Sequence, residues 1–176
     1  SLMTFSQDVL SIDEIYTENN LVYKKSNNKL FTGKVQRFKR NNHLVFEIEF
    51  DNGVMKIATI FYNGKEKRES EKRYYGLNNR LFKKEKYSFD KVHVWTTLFN
   101  DKEEKILEEE HENGVLKYRC EYLNGKKHGI TYSLNDDGTS SECIFENGKF
   151  FEKILKIKSH EHSLYHYRFI ITSCWW

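Results

Sequence analysis

The chain has 176 residues, 38% of them hydrophobic and 31% charged, with a formal net charge of +3. At ~100–200 residues per domain this is about one domain's worth of chain. No apolar run approaches the ~20 residues that a membrane-spanning helix needs. Residues 1–10 lack the basic start and apolar stretch of a secretory signal, so a soluble, cytoplasmic protein is expected.

Aromatic residues reach 15%, with 11 Tyr, 13 Phe and 3 Trp, and proline is absent. That composition suits pleated, half-buried strands and leaves chain reversal to glycine and asparagine. Three cysteines, Cys120, Cys143 and Cys174, form no CxxC pair. An odd count is a poor disulfide or zinc framework, so reduced thiols are expected, with a Cys120–Cys143 bridge as the alternative.

In chain order, residues 1–20 read as an arm. The alternative to an arm is a short helix: Ser11 and Glu14 stand at capping-box spacing, which suits a short turn within residues 11–19. Residues 24–40 carry seven basic side chains (Lys24, Lys25, Lys29, Lys34, Arg37, Lys39 and Arg40) and no acidic one. Next comes strict alternation: Leu44, Phe46, Ile48 and Phe50 on one side, Val45, Glu47 and Glu49 on the other. This is the period of a strand with one buried and one wet face.

Asn52-Gly53 and Asn63-Gly64 follow, and Asn113-Gly114, Asn124-Gly125, Asp137-Gly138 and Asn147-Gly148 complete a set of six. Such dipeptides favour two-residue type I′ hairpin turns, whose central residues both need φ > 0. Glycine spacings of 11, 11 and 10 recur at 53–64, 114–125 and 138–148, the period of consecutive hairpin arms. Residues 64–75 are charged and receive no assignment. Asn78-Asn79 and Asn100-Asp101 hold turn positions without glycine and predict looser loops.

Residues 101–112 contain seven acidic and two basic side chains. Helix and strand compete over residues 102–112; strand is favoured, because Lys105 to Glu108 run into Asn113-Gly114. Leu116, Tyr118, Cys120 and Tyr122 then alternate with Lys117, Arg119 and Glu121. His128 is read as part of a turn. Residues 151–176 read as a capping tail, alternating over 164–171 and ending in Trp175-Trp176. An unprotected sheet edge invites aggregation, and Trp is also enriched at binding hot spots.

The run from Asn113 to Gly129, with Asn113-Gly114, the strand 115–122, then Asn124-Gly125-Lys126-Lys127-His128-Gly129 and Ile130-Thr131-Tyr132, resembles the MORN-variant repeat. Leu21-Val22-Tyr23 followed by Lys29-Leu30-Phe31-Thr32-Gly33-Lys34 is similar to the opening of bacterial YwqK-type antitoxin-like proteins. The resemblance covers residues 21–150. It implies tandem hairpins in one elongated, twisted antiparallel sheet, and an immunity or antitoxin role against a cognate polymorphic toxin.

No nucleotide-binding loop, His-Glu-x-x-His or nucleophile motif is present. His160, His162 and His166 lack further ligands at metal spacing and read as solvated. The expectation is a non-catalytic binding protein without cofactor or metal. Glu103, Glu104, Glu108, Glu109 and Glu110 would steer a basic toxin, and Trp95, Tyr118 and Tyr132 would supply exposed rings. The alternative is a repeat scaffold holding an anionic membrane, or another protein, through the basic stretch. Nucleic acid is not expected, since no RNA-module signature accompanies the aromatics.

Overall fold

The computed structural model describes residues 8–156 and 166–167, the last few by backbone alone. The fold is mainly β, a succession of antiparallel hairpins, as the turn spacing predicts. The chain divides into two compact units, Ser1–Phe89 and Asp90–Trp176.

The first unit contains β1 (Asp8–Ser11), β2 (Ile15–Glu18), β3 (Leu21–Lys24), β4 (Gly33–Phe38), β5 (Leu44–Asp51), β6 (Val54–Phe61), β7 (Glu69–Tyr75) and β8 (Leu81–Tyr87). From β4 to β8 each strand pairs antiparallel with the next. β1 lies parallel to β4, and β2 with β3 forms a separate hairpin. The charged residues 64–75 thus end in a strand, β7.

The short turn expected within residues 11–19 is a single 310 turn at Ile12–Glu14. Its capping contact does form: the Ser11 amide donates to Glu14 Oε2 at 2.7 Å. The Ser11 amide and hydroxyl hold that carboxyl below its usual range. Helix stops there because Ile15, Tyr16 and Thr17 are β-branched or aromatic and pair with Lys24, Tyr23 and Val22.

Val22, Phe31, Val35 and Phe50 form the core, with Leu10, Ile15, Ile48 and Met55 packed against it. Three backbone bonds lock β3 over the β5–β6 turn: Val22 N–H to Gly53 O at 2.9 Å, Phe31 N–H to Val22 O at 2.9 Å, and Gly53 N–H to Phe31 O at 2.8 Å. Core residues of β5 come from its apolar alternation. The opposite face is not simply wet: Glu47 is 6% exposed. Lys34 Nζ lies 2.9 Å and Gln36 Nε2 2.5 Å from its oxygens, with Lys67 Nζ at 3.5 Å. Burial by itself would raise the Glu47 pKa, but Lys34 and Gln36 hold it below the ordinary carboxylate range.

The second unit contains β9 (His93–Phe99), β10 (Lys105–Glu112), β11 (Val115–Leu123), β12 (Lys126–Leu134), β13 (Ser140–Glu146), β14 (Lys149–Lys156) and the two-residue β15 (His166–Tyr167). All neighbouring pairs are antiparallel. Residues 105–112 are strand, as favoured. His160, His162, Cys174 and the Trp175-Trp176 pair, with the proposed capping, lie outside the described residues. Of residues 166–167 only the backbone pairing with Leu155 and Lys156 is described.

Four of the six glycine dipeptides make the expected two-residue turns, with positive φ at both positions: Asn52-Gly53, Asn113-Gly114, Asn124-Gly125 and Asn147-Gly148. The other two fall in longer loops. At Asp137-Gly138 the Asp137 carboxylate accepts from the Thr139 amide at 2.8 Å, a local bond that competes with the tight turn. At Asn63-Gly64 neither residue has positive φ, and Asn63 Oδ1 instead accepts from Lys39 Nζ at 2.6 Å. Asn78-Asn79 and Asn100-Asp101 sit in looser connections, as expected. Asn100 ties its loop through Oδ1, which accepts from the Lys102 and Glu104 amides at 2.9 and 3.0 Å.

His128 is corrected from turn to strand. Lys126 and Lys127 already pair with Leu123 and Tyr122, so the turn closes before His128. The β11–β12 register shifts between Cys120 and Tyr122, and such shifts recur at Arg37/Phe38, Glu49/Phe50, Ile60/Phe61, Tyr74/Tyr75, Glu110/His111 and Ile144/Phe145.

Candidate functional site: one face of the second unit

Side chains alternate across a strand, so the acidic run of residues 101–112 cannot present itself as one surface. In β10, Glu108 stands opposite Cys120 and Thr97, and Glu110 opposite Tyr118 and Trp95. Glu109 stands opposite Arg119, which in turn faces Tyr132. One face therefore gathers Trp95, Glu108, Glu110 and Tyr118 from the predicted set. Glu109 and Tyr132 project from the reverse face, and Glu103 and Glu104 belong to the loop between β9 and β10.

On the Trp95 face, Cys120 is fully buried at the centre. Thr131 Oγ1 approaches its sulfur at 3.3 Å. Tyr122 reaches across from the same strand, its hydroxyl donating to Glu108 Oε2 at 2.8 Å. Lys105 Nζ lies 3.3 Å from that carboxylate and 3.7 Å from the Tyr122 ring centroid. Burial opposes ionisation of Glu108, but the Tyr122 hydroxyl and Lys105 hold its pKa below the usual range. Burial, with the Glu108 carboxylate, pushes Tyr122 far above its ordinary value; burial and the Cys120 thiol do the same to Tyr118. Both phenols stay protonated at neutral pH, and Tyr122 is the donor to Glu108.

Trp95 is 38% exposed. His93 stacks on it with ring centroids 5.6 Å apart and planes 12° from parallel. His93 Nδ1 lies 3.3 Å from Glu110 Oε1. Lys127 stands over the Tyr118 and Phe145 rings at 5.8 and 5.4 Å. Lys117 Nζ lies 3.0 Å from Glu112 Oε2 and also from Asp136 Oδ1. The acidic run is therefore paired in part, Glu108 with Lys105 of its own strand and Glu112 and Glu109 with Lys117 and Arg119 of β11. On the reverse face, Arg119 Nη1 is 3.3 Å from Glu109 Oε1.

The alternative disulfide is overturned: Cys120 and Cys143 are both free. Thr131 of β12 pairs with each of them and so separates them. Two strand spacings, roughly 10 Å, exceed the ~7 Å limit for a bridge.

What sequence reasoning missed is the Tyr122–Glu108–Lys105 cluster. The spacing of Glu108 and Tyr122 about the Asn113-Gly114 turn carried that signal once the hairpin was recognised, but the register shift at Glu110/His111 moves the pairing by one residue. Chemically, this face offers held aromatic surface ringed by paired charges. Among the described residues no three His, Cys, Asp or Glu side chains are grouped to hold a metal ion. No protein-family model matches the chain, and the search of curated proteins returns no match.

Proposed function

We propose that this chain is a non-catalytic binding protein of the MORN-variant, YwqK-like kind, and that it neutralises a cognate toxin by covering it stoichiometrically. The observation that supports this reading is the convergence of Trp95, Tyr118, Glu108 and Glu110 on one face, Trp95 stacked by His93 of its own strand and the other three contacted by Lys127, Tyr122 and His93 of neighbouring strands. Aromatic side chains already fixed by packing lose little freedom when a partner settles on them, so more of the contact energy is realised as affinity. With Glu108 and Glu110 already engaged by neighbouring side chains on this face, ring burial carries more of the binding than long-range steering. The mechanism is steric: the face covers the toxin's working surface and no bond is made or broken.

The test is co-expression with the toxin domain encoded by the adjacent gene, together with calorimetry on the purified pair. Growth should be rescued by the native chain. Trp95→Ala and Tyr118→Ala should each weaken the complex by about 2 kcal/mol, the scale of an interface hot spot. Tyr132→Ala, on the reverse face, should leave it intact. Failure to rescue growth, or equal losses from both faces, would sink the reading.

A further inference from the structure

The seven basic residues of the 24–40 stretch do not stay together in the fold. Lys24 pairs with Asp8. Lys34 lies 2.9 and 3.0 Å from Glu47 and Glu49. Arg37, Lys39 and Arg40 remain near the β4–β5 connection, and that connection meets the β6–β7 connection, which carries Lys65, Lys67 and Arg68. Lys39 Nζ donates to Asn63 Oδ1 at 2.6 Å and ties the two loops together. Residues 37–43 and 62–68 hold six cations and one carboxylate, Glu66, and Arg68 occupies that carboxylate at 2.6 Å. Glu47, beneath them, is engaged by Lys34 and Gln36, with Lys67 Nζ a further 3.5 Å away.

Between the loops lies a cavity of about 360 Å³, with Asn41, Asn42, His43, Gly64, Lys65 and Lys67 in its wall. Its size falls at the lower end of the ~300–1,000 Å³ of small-ligand sites. His43 Nε2 is buried and has no hydrogen-bond partner, whereas buried polar atoms are ordinarily satisfied. An acceptor-rich anion would remove that deficit while spreading its charge over the flanking ammonium groups. Nothing within 4 Å occupies the space above Gly64, where a side chain would otherwise project.

From the cavity, the cation cluster and the orphaned imidazole nitrogen, we propose that these paired loops form a binding site for a phosphate-bearing group. His43 Nε2–H and the Lys65 and Lys67 ammonium groups hold its oxygens, and Arg37 and Arg40 supply the surrounding field. The group arrives as a soluble phosphate ester or as a lipid headgroup, which present the same chemistry to the site. This site stands in the first unit and does not rest on the partner-binding face proposed above.

The experiment is a titration of the full ¹⁵N-labelled chain with inorganic phosphate at constant ionic strength, read by NMR at the Asn41, Asn42 and Gly64 amides and the His43 imidazole. Saturable shifts confined to these groups are expected, with half-saturation at or below about 1 mM. The Arg40→Ala/Lys65→Ala double variant should weaken binding at least about tenfold. Lys25→Ala/Lys29→Ala removes the same charge elsewhere and should leave affinity unchanged. Glycerol 3-phosphate and vesicles of phosphatidylglycerol, against phosphatidylcholine controls, separate the sources. Vesicle binding that free phosphate competes away, and that the Arg40/Lys65 variant loses, assigns the headgroup; binding of the soluble ester without vesicle binding assigns the ester. Shifts that never saturate, or equal losses from both double variants, would mean diffuse attraction to a basic surface and would overturn the proposal.

Discussion

Gly53 has a φ of +79°, and a β-carbon added to it would fall 2.6 Å from Leu30 Cδ2 and 3.1 Å from the Val22 carbonyl oxygen. Alanine there must adopt a left-handed conformation and also displace the β3 connection, so Gly53→Ala should cost about 2–3 kcal/mol. Gly64, in the same dipeptide eleven residues on, has no atom within 4 Å and no positive φ. Gly64→Ala should stay within about 0.5 kcal/mol of the native chain. Urea midpoints of the two variants decide the matter. The sequence offers the same Asn-Gly at both places because turn preference is local, while the crossing of β3 over one turn and not the other is a tertiary fact. Glu47 teaches the same lesson: alternation gave its face correctly, but its burial depends on Lys34, Gln36 and Lys67 arriving from two other segments.

Among elements, the loops joining the strands share a device. The connections 39–43, 100–104 and 135–139 are each closed by a bond from the first residue's amide to the fifth residue's carbonyl, of 2.8, 3.0 and 2.8 Å. The fourth residue is left-handed in each: Asn42, Glu103 and Gly138. Asn and Gly accept that conformation readily, whereas glutamate pays a steric penalty of about 1 kcal/mol. Glu103→Gly should therefore raise stability by about 1 kcal/mol, read as a higher thermal midpoint. If Glu103 also contacts the partner, the same variant will bind it more weakly, separating a steering role from an architectural one. Hairpin existence was legible from Asn-Gly spacing and alternation. The facing of β10 was not, since a run of like charges specifies neither which members share a face nor which lysines of β11 and β12 will meet them.

At the scale of the molecule, carboxylates held below their ordinary pKa recur in both units. Glu85 accepts from the Tyr74 hydroxyl at 2.8 Å and from the Tyr87 hydroxyl, with Lys83 at 2.6 Å. Burial would raise its pKa, and Lys83 with the two phenols brings it down, as Lys34 and Gln36 do for Glu47 and Tyr122 and Lys105 for Glu108. Burial and Glu85 push Tyr74 up to about 12. Groups with depressed folded pKa stabilise fully above the unfolded glutamate value, about 4.3, and lose that contribution as pH falls through the folded value. Stability should accordingly be flat at neutral pH and fall below about pH 4.3. Glu47→Gln should cost about 1–2 kcal/mol at pH 7 and make the acid decline shallower, as denaturant titrations from pH 2.5 to 7 would record. One further consequence lies in the register shifts that accompany so many of the hairpins. A ribbon of near-equivalent arms is prone to slippage, in which an arm mates with its neighbour two residues out of step at little cost in ladder bonds. An irregularity set close to a turn acts as a stop, because sliding past it would misplace every side chain beyond. Regularising the repeats towards a uniform consensus would therefore discard the marks by which each arm finds its own mate.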